Sequence, residues 1–344
     1  MPRPERYLGS YGRNLCVTGE FTGAFSSRYR RACVRKHFPD TRRRCGRTTS
    51  ANPSCSAYSA TRPLVDRSLQ KALTFPRCSS SSAVPKRVDA LGCGPSLRFV
   101  TSQRMIERFY AEFGDVFRPF ILSGSGDFHH LTAIFIRQIK EPFIILSFDN
   151  HPDWVVGPLQ WSCAAWVNRA LENPLVQQVA VWGCGNFECR FPWRLRGNRS
   201  ACRSGRLWVA PWRSEKNDYP DWLHPISAAD WQAAFARFVQ SIRTSAIYVT
   251  VDLDCLADGD AITNWENGRF LLSDLVWAIN LLHQKAKIIG GDLCGAFSPM
   301  RYRSWFQTVA GRFDHPRQRS VTDSERRSIN LRALEVIWPI LTQA

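Results

Sequence analysis

Two short acidic clusters in this 344-residue chain have the residue types and spacing to hold metal ions. The run Phe143-Ile144-Ile145-Leu146-Ser147-Phe148 leads straight into Asp149-Asn150-His151-Pro152-Asp153, and Ile247-Tyr248-Val249-Thr250-Val251 leads into Asp252-Leu253-Asp254. In extended chain, residues i, i+2 and i+4 face one side, so Asp149, His151 and Asp153 converge, as do Asp252 and Asp254. Four carboxylates brought within about 4 Å would repel by roughly 4 kcal/mol per pair at an effective dielectric of 20. No Lys or Arg lies inside either cluster, so a divalent cation is the simplest neutraliser. A glycine-rich turn upstream, Ser123-Gly124-Ser125-Gly126-Asp127-Phe128-His129-His130, offers His129 or His130 as a further ligand. Two His and four Asp, with Asp bridging, suit two borderline-hard ions such as Mn2+ better than they suit a thiolate-based zinc site.

The elements that carry these clusters follow a regular order. Short apolar runs alternate with amphipathic stretches from Ser96 onward, and the runs are compact enough to be strands buried on both faces. Strands are expected over 120–122, 143–149, 179–183, 207–210, 247–254 and 287–291, with helices near 131–138, 163–171, 229–242, 273–283 and 325–340. Trp231, Ala234, Phe235, Phe238 and Ile242 share one helical face. Strands alternating with helices of this length predict a three-layer α/β/α fold around a mainly parallel sheet. In such sheets ligands sit beyond the carboxyl ends of the strands, where both acidic clusters fall.

Charge divides the chain in two. Residues 1–95 hold 18 Lys or Arg against 5 Asp or Glu, which is +13 of the total +17. This stretch, rich in Arg and Ser, reads as a disordered or loosely structured leader, with residues 96–344 as the α/β domain that carries the acidic clusters. Its composition also fits an organellar transit peptide. The remaining chain is close to neutral, so nucleic-acid binding is expected only through the leader. No apolar run approaches the roughly 20 residues that span a bilayer, and no membrane association is expected. None of the twelve cysteines forms a Cys-x-x-Cys pair, and reduced thiols in a cytoplasmic protein are the expectation.

The three motifs, taken in order, resemble those of the arginase (ureohydrolase) superfamily. Gly126-Asp127-Phe128-His129-His130-Leu131-Thr132, Asp149-Asn150-His151-Pro152-Asp153 and Thr250-Val251-Asp252-Leu253-Asp254 match the family's Gly-Gly-Asp-His-Ser, Asp-Ala-His-x-Asp and Ser-x-Asp-x-Asp, over about residues 96–300. The resemblance is closest to a sparsely characterised arginase-like branch, and it implies an arginase/deacetylase-like fold. It further implies that His129 and Asp153 hold one cation, that His151 and Asp254 hold the other, and that Asp149 and Asp252 bridge. The implied reaction is hydrolysis of a non-peptide C–N bond in a small guanidino, amidine or amide compound, through a hydroxide bridging two divalent ions. Mn2+ is expected as the metal and a homo-oligomer is a possible assembly. Asp153, His130 and Glu266 are candidate proton carriers, and Asn264 and Glu266 candidate substrate contacts. The chain departs from the family twice. It reads Asp292-Leu293-Cys294-Gly295 where arginases and agmatinases carry a guanidinium-meeting glutamate, and no His occurs between His151 and His224. Arginine and agmatine are therefore not carried over as substrates. The alternative is a catalytically inactive metal- or ligand-binding protein on the same fold.

Overall fold

The structure, a computed structural model, describes residues 61–64, 86–90, 92–159, 161–215, 218–244, 246–317 and 320–343. Its larger compact unit runs Ala57–Ala344. Residues 1–60, most of the expected leader, lie outside the described residues.

Ten strands are described: β1 Thr61–Leu64, β2 Lys86–Asp89, β3 Val100–Thr101, β4 Phe120–Leu122, β5 Phe143–Phe148, β6 Trp161–Ser162, β7 Val176–Cys184, β8 Leu207–Pro211, β9 Ala246–Asp252 and β10 Lys287–Cys294. Eight of them form one sheet in the order β2-β1-β4-β10-β9-β5-β7-β8, with every pairing parallel, while β3 and β6 make a small antiparallel pair. The fold is the expected α/β architecture with a mainly parallel sheet. Strands β1 and β2 fall inside the stretch that the composition assigns to the leader.

The longer helices are α1 Gln103–Phe113, α2 Trp166–Leu171, α3 Trp231–Ser241, α4 Leu272–Lys285, α5 Trp305–Asp314 and α6 Asp323–Leu341. All six residues of β5 are buried, as a strand covered on both faces requires. Ile144, Leu146 and Phe148 pack with α3, α4 and α6 through Phe235, Ile279 and Leu334. Phe143 and Ile145 face the other way, onto Trp166, Val167 and Ala170 of α2. Each such apolar side chain contributes about 1.5–3 kcal/mol when fully buried, so the two alternating faces anchor the central strands firmly.

From β5 the chain moves outward to β7 and β8, then returns to the opposite side of β5 to form β9 and β10. The crossovers thus diverge between β5 and β9, creating a crevice at their carboxyl ends where parallel α/β sheets bind ligands. Register sets the rest: Phe148 pairs with Val251, so Asp149 and Asp252 emerge side by side.

Candidate metal centre

All four carboxylates gather in this crevice. Asp149, Asp153, Asp252 and Asp254 are each 5% exposed or less, and His129 is 1% exposed. His129 Nδ1 lies 3.0 Å from Asp149 Oδ2, 3.3 Å from Asp153 Oδ2 and 3.6 Å from Asp252 Oδ2. His151 Nδ1 lies 2.8 Å from Asp254 Oδ2 and 3.6 Å from Asp149 Oδ1. Two triads result, His129/Asp149/Asp153 and Asp149/His151/Asp254, each with its ligand atoms within 4.8 Å of one another. Asp149 belongs to both.

The convergence is achieved by turns rather than by the extended alternation that the spacing alone predicts. Asp149 follows the last residue of β5, and its Oδ1 accepts the His151 N–H at 2.7 Å, folding the chain back. Asp153 takes a left-handed φ of 47°, a strained conformation for a non-glycine residue that aims its carboxylate at His129. Trp166 Nε1 donates to Asp153 Oδ2 at 2.6 Å and fixes it there. Asp252 caps a 3-10 turn over Leu253–Cys255, its Oδ1 accepting from Asp254 N at 3.0 Å. Gly126 is required by proximity, since a Cβ there would stand 2.5 Å from Asp252 Oδ2.

His129 is oriented from behind. Its Nε2 lies 2.9 Å from Thr250 Oγ1, whose hydroxyl donates to Asp292 Oδ1 at 2.8 Å. Thr132 also donates to Asp292 Oδ1, and Tyr248 donates to Asp292 Oδ2 at 2.7 Å. An ionised Asp292 accepts only, so the single Thr250 proton goes to it and the Thr250 oxygen accepts from His129 Nε2–H. Once a cation displaces the His129 proton, the lone pair is therefore left on Nδ1, facing the carboxylates. Such outer partners commonly contribute 10–100-fold in metal affinity. Thr250→Val should therefore weaken metal binding by about 10-fold or more, read by competition with a chelator; unchanged affinity would remove this role.

The residues fit a pair of divalent cations. His129 Nδ1 and Asp149 Oδ2 are buried without a hydrogen-bond partner although they face each other. Four buried carboxylates match the charge of two divalent ions, and the nearby Arg98 is engaged by Asp127 at 2.6 Å. Without cations the cluster must hold protons. Burial and the Asp149 charge push Asp153 and Asp254 up to about 7, and burial with the Asp254 and Asp149 charges pushes Asp252 well above the usual carboxylate range. Against burial, Asp149 and Asp153 hold His129 well above its ordinary value, as Asp254 and Asp149 do for His151.

A cleft of roughly 470 Å³, counted out to its open mouth, leads to the cluster. Glu266 lines it, with Oε2 3.4 Å from His151 Nε2. Asn264 does not reach it: its amide is fully buried, donating to Ser298 O at 2.9 Å and accepting from Ser298 N at 2.8 Å. Nor does His130, which is 0% exposed, outside the cleft lining, and pushed down to about 3 by burial. Asp127, the acid of the glycine-rich turn, is bound by Arg98, by His315 at 2.7 Å and by Trp265 at 3.1 Å, so it anchors that turn instead of facing the cluster.

Two features escaped the sequence. Glu188, in a 3-10 turn beyond β7, lines the cleft with its Oε2 buried and unpartnered, and burial pushes its carboxyl up to about 8. Its only signal was an acid shortly after a strand, which is too common to single out. Gly295 has a φ of 99°, and any Cβ there would collide with Asp252 Oδ1 and the Leu253 backbone N. The backbone thus closes this position to any side chain.

No family profile matches the chain. An uncharacterized protein of Thermotoga maritima is 27% identical over 179 residues, 52% of this chain and 58% of that protein. The match therefore spans little more than half of that relative. Among solved structures, formimidoylglutamase from Bacillus subtilis superposes with a TM-score of 0.51 at 14% identity, covering 83% of this chain and 88% of the other. Proclavaminate amidino hydrolase from Streptomyces clavuligerus gives 0.50 at 12% identity, covering 83% and 94%. Arginase from Bacillus subtilis gives 0.50 at 9% identity, covering 81% and 98%. Identities this low speak to the fold alone, and the fold of this protein is the arginase-like α/β fold that these three structures share.

Proposed function

We propose that this protein is a binuclear-metal hydrolase of a non-peptide C–N bond in a small amidine, guanidino or amide compound. One observation carries the reading: two buried His/Asp triads share Asp149 and open onto a single cleft. His129 and Asp153 would hold one cation, His151 and Asp254 the other, with Asp149 and Asp252 between them. When bound, the pair would lower the pKa of a shared water towards neutrality and supply the nucleophile.

The chain's own residues do the remainder. His129, locked by Thr250, and Asp153, locked by Trp166, keep their donor atoms in place without reorganisation. Trp265 stands edge-on to His151 at 5.3 Å and walls one side of the cleft. Glu188, Glu266 and Asp314 line the cleft and, among the described residues, no Lys or Arg does, which suits a cationic or neutral nitrogen compound. Glu188, its carboxyl raised by burial, lines the cleft where a leaving nitrogen would need a proton, and Asp153 and Glu266 line it as further proton carriers. The closed Gly295 position supports a substrate other than one met by the arginase-type glutamate. A cytoplasmic location is part of the proposal: all seven cysteines among the described residues are free thiols. No helix among the described residues is long and apolar enough to cross a membrane.

The test is metal analysis of the full chain together with ammonia and urea release over a guanidino, amidine and amide panel. Turnover that requires metal, with Glu188→Gln lowering kcat by about 10²-fold or more while two ions remain bound, is the expected result. An intact metal pair with no turnover on the panel, but tight binding of an unreacted compound, would replace hydrolysis with a binding function.

A further inference from the structure

The cluster contains one donor that the six proposed ligands leave aside. Cys294 is the last residue of β10 and pairs in register with Asp252, the last residue of β9. Neighbours in register on parallel strands project to the same face of the sheet, so the thiol stands beside that carboxylate. Its Sγ is 3.3 Å from Asp252 Oδ2. Cys294 Sγ, a carboxylate oxygen of Asp252 and a ring nitrogen of His129 all lie within 4.8 Å of one another, and Cys294 is 1% exposed. The plain reading is a buried thiol making a weak S–H bond. That reading leaves His129 Nδ1, 3.6 Å from Asp252 Oδ2, buried without a hydrogen-bond partner, whereas an ion seated among His129, Asp252 and Cys294 gives it a bond.

We propose that Cys294 is a thiolate ligand of the cation held by His129 and Asp252, giving that position a mixed nitrogen, oxygen and sulfur donor set. The inference rests on the two-cation reading and adds the chemical class of one ion. Thiolate selects softer metals, so this position takes zinc, iron(II) or cobalt(II) ahead of manganese, while the His151/Asp254 position keeps the nitrogen and oxygen donors that suit Mn2+. On binding, the S–H bond breaks, its electron pair forms the metal–sulfur bond, and the proton leaves to solvent.

Cobalt(II) loaded into the full chain tests this without a substrate. The expected spectrum has an intense near-ultraviolet sulfur-to-cobalt charge-transfer band, lost in Cys294→Ser while the visible cobalt bands and cobalt content remain. X-ray absorption on the zinc-loaded wild type needs no variant and should show one sulfur at about 2.3 Å. The preference for zinc over manganese should fall by about 10-fold or more in Cys294→Ser. Full metal content with only nitrogen and oxygen neighbours, or a charge-transfer band that survives in Cys294→Ser, overturns the proposal. Sulfur ligation without turnover on the panel would remove only the hydrolase reading. Turnover without sulfur ligation removes only this inference, and a chain that binds no metal removes both.

Discussion

Asp149→Asn should empty both cation positions and lower kcat/KM by at least about 10³-fold, or some 4 kcal/mol. Asp149 is the one residue present in both triads, presenting Oδ2 to His129 and Oδ1 to His151. The amide keeps the shape but removes one of four negative charges, and its NH2 group cannot bond a cation. A donor misplaced against two ions also loses the electrostatic preorganisation that such sites depend on. Asp153→Asn is the informative comparison, because Asp153 belongs to only one triad and its loss should leave one ion in place. Elemental analysis of the two purified variants separates the cases. Two ions retained by Asp149→Asn would show that the triads do not depend on a shared Asp149, and its role between the two cations would fall.

The fold was legible wherever strands were buried on both faces. β5 and β9 stand as continuous apolar runs because helices cover each side, and periodicity reports that directly. β1 and β2 were not read because they are four-residue strands set in a basic, Ser-rich stretch with no apolar run. The segment expected as one helix over 131–138 is broken instead into 3-10 and α turns, Gly126–Leu131, Thr132–Phe135 and Ile136–Gln138, all buried up to Ile136. Packing around the cluster overrides helical regularity there, and one-dimensional periodicity carries no trace of it.

The acids and imidazoles were legible from type and spacing, but the reason they meet was not. Extended alternation would have sent Asp254 along the strand axis, whereas a 3-10 turn capped by Asp252 swings it back. Asn264 looked available because short polar residues line clefts as often as they staple loops; only its two bonds to Ser298 show which it does. Glu188 follows β7 and Cys294 ends β10, strands separated by more than a hundred residues, and they reach the same crevice through the sheet order. Contacts of that kind are properties of topology and lie beyond the reach of local motifs.

Removing the metal should reverse the direction in which pH acts on stability. In the metal-free protein Asp153 and Asp254 are pushed up to about 7, against about 3.9 when unfolded, and Asp252, His129 and His151 are raised as well. Each raised group binds more protons folded than unfolded, so each contributes stability that is present at low pH and lost as pH rises. Asp149 is held low and has the opposite sign, but its window lies below about pH 4. From roughly pH 5 to 8 the metal-free protein should therefore lose stability with rising pH. The cations compete for the same sites with those protons, so binding tightens over the same range. A ligand at 100 times its Kd adds about 2.7 kcal/mol, which corresponds to roughly 5–10 °C in Tm for a domain of this size. The measurement is the Tm gap between metal-loaded and chelator-treated protein at several pH values, and the gap should widen from pH 5 to 8. A gap that stays constant or narrows would mean that these carboxylates are not what the ions displace protons from.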